Sequence, residues 1–312
     1  MQDSVTNPLL VILGPTASGK TNLAAHAAFE FGGELISADS RQVYRQMNIG
    51  TGKDLQEFNI QGTTVRVHLL DLHPPGYKYN VYEYQSDFLR TYAEVRERGC
   101  LPVMCGGSGL YIEAVLSGYQ LVQVPVNEEI RRSWDQLPDE ELIARLTALK
   151  PQHNTTDIGT RKRLVRALEI ALYEKVNPEA FQSIPQFNAL LVGVRFPRTE
   201  TRERITRRLY QRLSEGMVEE VKLLLESGIS PEDLVYYGLE YKFITQYLLG
   251  QLSYENMVER LNTAIHQFAK RQMTWFRKME REGHKIHWIP GDLPLVAKLN
   301  MLTELLHKKG IH

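Results

Sequence analysis

Only two cysteines occur in 312 residues, Cys100 and Cys105, and they form no C-x-x-C. A disulfide framework and a dithiol redox motif are excluded. Both thiols fall within one short predicted strand segment, so a buried pair of free cysteines in a reducing cytoplasm is expected. The nine histidines show neither H-E-x-x-H nor Cys/His ligand spacing, which argues against a zinc site. No apolar run approaches the ~18 residues needed to cross a bilayer. Met1-Gln2-Asp3-Ser4 has neither the basic region nor the apolar segment of a secretory leader, so no membrane association is expected. Internal repeats and low-complexity tracts are also missing. So is net charge, since 37 Lys and Arg balance 37 Asp and Glu. That balance argues against a protein that coats nucleic acid indiscriminately.

What remains is an ordinary soluble composition, 43% hydrophobic and 24% charged, in a chain long enough for more than one domain. The most informative stretch is Gly14-Pro15-Thr16-Ala17-Ser18-Gly19-Lys20-Thr21, a complete G-x-x-x-x-G-K-T loop. It follows the apolar run Pro8-Leu9-Leu10-Val11-Ile12-Leu13 and precedes the helix-forming Asn22-Leu23-Ala24-Ala25-His26-Ala27-Ala28-Phe29. That strand–loop–helix context is what the motif requires. Two glycines let successive N–H groups point into one concavity, and the positive end of the helix adds to the field there. Lys20 supplies a point charge for phosphate oxygens, and the Thr21 hydroxyl can ligate a divalent metal. A bound diphosphate or polyphosphate follows.

The first ~115 residues alternate apolar runs with helical patterns, as in a doubly wound α/β core. Strands are expected at 8–13, 34–37, 67–70 and 101–105, and a helix at 81–97, where Val81, Tyr84, Phe88, Tyr92 and Val95 recur at helical spacing. From 127 to about 175 only helical patterns occur, and another buried strand follows at 189–194. The economical division is a P-loop core of 1–123 and 187–312, interrupted by an all-helical insertion at 124–186. Further on, Ile205, Leu209, Leu213, Met217 and Val221 form one apolar stripe, with Arg204, Arg208 and Arg212 beside it. A long helix is expected over 253–281, with His266, Lys270, Thr274 and Arg277 in one ~80° sector.

Ligands of open α/β sheets gather at the carboxyl ends of the strands. There the second strand delivers Asp39, the strand ending at Leu70 delivers Asp71, and 101–105 runs into Gly106-Gly107-Ser108-Gly109. Asp39 can ligate metal through water, act as a base, or merely cap a helix at 40–45. Asp71 can equally be a turn residue. Three basic clusters stand out, at Arg161–Arg166, Arg195–Arg212 and Lys270–Arg281. Each alone reads as a solvated helix face; together they could line one anionic ligand. These features fit a small-molecule kinase as well as other P-loop enzymes.

A set of strings separates these options. The phosphate loop, Ile36-Ser37-Ala38-Asp39-Ser40-Arg41-Gln42-Val43-Tyr44 and Asn48-Ile49-Gly50-Thr51-Gly52-Lys53 together resemble the tRNA dimethylallyltransferase family. So do Gly106-Gly107-Ser108-Gly109-Leu110-Tyr111, Arg163-Leu164-Val165-Arg166-Ala167-Leu168-Glu169 and Ala269-Lys270-Arg271-Gln272-Met273-Thr274-Trp275-Phe276-Arg277. The strings fall in order over nearly the whole chain. No Cys/His finger follows them, so the resemblance is to bacterial more than eukaryotic members.

The resemblance implies transfer of a dimethylallyl group from its diphosphate to N6 of adenosine 37 beside the anticodon, with Mg2+ as cofactor and the tRNA anticodon stem-loop as partner. It implies that Gly14, Pro15, Thr16, Ala17, Ser18, Gly19, Lys20 and Thr21 hold the donor diphosphate, with Thr21 on the metal. It makes Asp39 the general base, with Lys20, Thr16 and Arg204 as the other catalytic residues. It assigns tRNA contacts to Asp39, Ser40, Arg41, Gln42, Ser108, Arg131, Arg163, Arg166, Lys270, Arg271, Gln272 and Arg277. It also places the acceptor base, flipped from its neighbours, in a channel between core and insertion. The usual glycine-tyrosine pair is replaced by Glu240-Tyr241, after Gly238, and Ser108 stands where threonine is common. Rival readings are prenylation of free adenine nucleotides, a P-loop kinase, and an RNA-binding protein without catalysis. A monomer is expected.

Overall fold

In a computed structural model, residues 7–149, 158–181 and 184–311 are described; Met1–Ser4 and parts of the 124–186 stretch lie outside them. In chain order the elements are β1 (Pro8–Leu13), α1 (Lys20–Glu30), β2 (Gly33–Ser37), β3 (Asn59–Ile60), β4 (Thr63–Thr64), β5 (Val67–His68), α2 (Val81–Glu97), β6 (Leu101–Gly106) and α3 (Gly109–Leu116). Then come α4 (Glu128–Trp134), α5 (Asp139–Leu149), α6 (Arg161–Val176), β7 (Asn188–Arg195), α7 (Arg198–Ser214) and α8 (Met217–Glu226). The chain continues through α9 (Pro231–Tyr236), α10 (Leu239–Leu248), α11 (Tyr254–Arg281), β8 (Ile286–Pro290) and α12 (Leu295–Lys309).

Six strands form one sheet in the order β5-β2-β6-β1-β7-β8, and every pairing is parallel. Parallel strands buried on both faces read as continuous apolar runs, which is why β1 shows no polar alternation. Its side chains divide by parity: Leu9, Val11 and Leu13 join the core under α2, α3, α7 and α11, while Leu10 and Ile12 join the core under α1 and α12. The expected P-loop doubly wound sheet is present.

The chain divides into two compact units, Met1–Ser117 with Pro185–His312, and Gly118–Ile184. The second has its own small core of Trp134, Leu142, Leu146, Leu164, Leu168 and Ala171 from α4 to α6.

Several expectations need correction. The strand expected over 67–70 ends at His68, because Leu69 (φ 61°) and Asp71 (φ 52°) take left-handed backbone that leaves the ladder. No helix covers 40–45. The stripe from Ile205 to Val221 is real but broken: Gly216, at φ 98°, ends one helix and starts the next. Cys105 is buried in β6, whereas Cys100 precedes the strand and is only half-buried. The edge strand β8 gave no signal strong enough to be expected.

Candidate active site

Because β2, β6 and β1 are neighbours, the loops leaving their carboxyl ends meet at one edge. The loop after β1 turns through Ala17 (φ 61°) and Gly19 (φ 76°) before α1 begins at Lys20. The Lys20 ammonium donates weakly to the Pro15 carbonyl at 3.4 Å. Burial lowers its pKa, opposed by the neighbouring Cys105 and Asp39. Among the described residues no carboxylate is bonded to this ammonium, and a desolvated cation favours an anion beside it. Beside it, burial pushes the Cys105 thiol up to about 12, so this cysteine stays protonated and inert.

From the end of β2, Asp39 folds back so that one carboxylate oxygen accepts the Arg41 N–H at 2.9 Å. With no helix at 40–45 it is not a helix cap. The Ser108 hydroxyl accepts the Ser40 N–H at 3.1 Å, and the Ser108 N–H donates to the Ala38 carbonyl at 3.3 Å. The turn after β6 is thereby stitched to the turn after β2. Gln42 donates to the Gly52 carbonyl at 3.0 Å and so faces loop 48–53. That loop is anchored from α8: the Glu220 carboxylate accepts the Asn48, Ile49 and Gly50 N–H groups at 2.8, 2.7 and 3.0 Å, and the Tyr241 hydroxyl at 2.7 Å.

These groups surround a cleft of about 580 Å³ lined by Thr16, Lys20, Thr21, Asp39, Ser40, Arg41, Gln42, Ser108, Arg271, Gln272 and Trp275, with Leu35, Phe58, Val67 and Leu70 as an apolar wall. A second cleft, about 680 Å³, reaches Lys20 and Thr21 from beside α7 and is lined by Arg204, Arg207, Arg208 and Arg212. The volumes fall in the range of small-molecule sites.

The remaining expected residues distribute unevenly. Arg204 donates to the Ala17 carbonyl at 2.9 Å and lies over Phe196 at 4.1 Å, so it braces the phosphate loop. Gln272 is buried and bonded to backbone. Lys270, Arg271 and Arg277 are exposed along α11, and Arg163 is exposed on α6. Within the helical unit, Arg131 and Arg166 both hold the buried Glu169 carboxylate, at 2.8 and 3.0 Å. Asp71 does not reach the cleft lining; it pairs with the buried Lys53 at 2.5 Å. Arg208, Arg212, Glu240 and Trp275 line the cleft without having been singled out as site residues. The 204–208–212 spacing was the available signal for the first two.

The fold and this edge define a P-loop α/β protein with a carboxylate beside an anion cradle. Residues 42–279 match the IPP transferase family model, and residues 7–74 match that of the isopentenyl transferases. A tRNA dimethylallyltransferase of Bacteroides fragilis is 54% identical over 298 residues, spanning 96% of this chain and 97% of that protein. Another, from Parabacteroides distasonis, is 52% identical over 301 residues, spanning 96% and 98%. The crystal structure of a tRNA isopentenylpyrophosphate transferase from Bacillus halodurans matches with a TM-score of 0.71 at 30% identity, covering 98% of both chains. The chain belongs to the IPP transferase family. Among the described residues no helix is long and apolar enough to cross a membrane.

Proposed function

We propose that this chain transfers a dimethylallyl group from dimethylallyl diphosphate to N6 of adenosine 37 in the anticodon loop of tRNA, releasing diphosphate. The observation that carries this reading is that Lys20, in the phosphate loop, and Asp39 line one cleft. The N6 lone pair attacks the allylic C1 as the C1–O bond breaks, and that bond's electrons leave with the diphosphate. Lys20 and the loop N–H groups meet the charge that develops on the leaving group. Asp39 accepts the N6 proton and orients the amine, while Ser40 and Gln42 face the base. The apolar wall of Leu35, Phe58, Val67 and Leu70 excludes water from an allylic centre with cationic character.

Among the described residues no cluster of three or more His, Cys, Asp or Glu is placed to hold a metal ion. A magnesium ion would therefore rest on the Thr21 hydroxyl and diphosphate oxygens, a fit for a cation that favours phosphate and water over protein cages. When bound it would neutralise charge on the leaving group. The exposed Arg163, on α6 of the helical unit, and Lys270, Arg271 and Arg277, on α11, supply phosphate contacts to the RNA.

Labelled dimethylallyl diphosphate incubated with unmodified tRNA or with AMP tests the proposal. Label on tRNA adenosine, lost with EDTA and restored by Mg2+, is expected. Label on AMP alone overturns it.

A further inference from the structure

Arginines 204, 208 and 212 follow one another at single-turn spacing on α7, yet they are engaged differently. Arg204 is bonded to the Ala17 carbonyl at 2.9 Å, and Arg208 is ion-paired with Asp54. Arg212 lines both clefts beside Lys20, and its Nη2 group is buried without a hydrogen-bond partner among the described residues. A buried donor left unpaired is costly, and natural interiors seldom tolerate one without a reason.

The surroundings hold this guanidinium without satisfying it. It packs against the backbone of Gly52, where an added Cβ would lie 1.8 Å from Nη2, and where φ of 69° already disfavours a side chain. The Gly52 carbonyl is taken by Gln42 at 3.0 Å. Burial and then the nearby Arg208 lower the Arg212 pKa, with Glu240 and Asp54 opposing. Two arginines one turn apart beside a buried lysine make a site that favours a multiply charged anion.

We infer that Arg212 is a phosphate-oxygen ligand for the donor diphosphate, acting with Lys20 and the loop amides on the leaving group. The inference rests on the reading of the Lys20 loop as the donor site. The rival is structural: Arg212 could serve only to balance the charge of Glu240, which lines the same cleft.

The test is calorimetric binding of inorganic pyrophosphate with Mg2+ to the full chain, alongside KM for dimethylallyl diphosphate and for tRNA. Arg212→Met is expected to weaken pyrophosphate by about tenfold or more and to raise the donor KM while leaving the tRNA KM unchanged. Adding Glu240→Gln should not restore affinity; restoration by the double variant would overturn the inference in favour of charge balance. Unchanged pyrophosphate affinity in Arg212→Met, with loss in Lys20→Ala, overturns the inference and leaves the donor-site reading standing. Unchanged affinity in both variants overturns the donor-site reading and the inference with it. Should Arg212→Met fail to fold, Arg212→Gln, which keeps a donor and most of the length, is read in the same way.

Discussion

Gln272, on α11, accepts the Thr16 N–H at 2.9 Å, while its own amide donates to the Gly107 carbonyl at 2.9 Å. One carboxamide thus sets the gap between the phosphate loop and the turn after β6. Its place inside a basic helical string made it read as an RNA contact. Its 8% exposure and its two backbone partners give it a structural role as a spacer. Gln272→Leu keeps the volume and strands both backbone groups, at about 1–3 kcal/mol each. A lower Tm and a reduced kcat are expected, with an unaltered salt slope for tRNA binding; a full loss of tRNA affinity at normal Tm would contradict the spacer role.

Asp39→Ala should cut turnover by about 10²-fold or more, the size expected for a lost general base, while tRNA still binds. Single-turnover rates beside filter binding separate the two effects. An unchanged rate would remove Asp39 from the mechanism.

The basic residues of the helical unit should separate into two groups. Arg163 is exposed, as is Lys270 on α11. Alanine at either should lower the slope of log K against log salt by about one, with Tm preserved. Arg166 instead holds the buried Glu169 at 3.0 Å, together with Arg131 at 2.8 Å. Arg166→Ala should therefore destabilise the fold by about 1–3 kcal/mol, visible as a lower melting transition. Equal behaviour of Arg163→Ala and Arg166→Ala in both assays would defeat this division.

Acid should weaken the protein partly through Glu34. The Arg98 guanidinium, and after it His68, hold this carboxyl down at about 2 against an ordinary 4.5, although burial opposes them. A carboxyl depressed in the folded state stabilises above its unfolded pKa and loses that contribution as pH falls through the folded value. Solvent screening at the partly exposed Arg98 reduces the contribution to about 1–2 kcal/mol near neutrality. Melting of wild type and Glu34→Gln across pH should show a gap that is full above about pH 5 and closes towards pH 2. A gap independent of pH would point to packing alone.

The core and the phosphate loop were legible because both are local. Pro8–Leu13 is uniformly apolar since both faces of β1 are covered, and Gly14–Thr21 carries its geometry in its own glycines. The partners of Asp71 and Gln272 were not legible, for the opposite reason. Those partners, Lys53 and the Thr16 and Gly107 backbone, lie 18 or more positions away in sequence. Asp39 was placed correctly at a strand end, but only the neighbouring positions of β2, β6 and β1 bring it to Lys20. The short edge strand β8 has one neighbour, β7, and too little apolar sequence of its own to announce it.

Glu220 carries a further implication. Three successive amides of loop 48–50 form a ready socket for negative charge, and a carboxylate of the protein already fills it. A diphosphate bound as proposed would meet that socket already filled by Glu220, which would leave it to the Lys20 loop. Removing that plug would give the leaving group a competing place to rest.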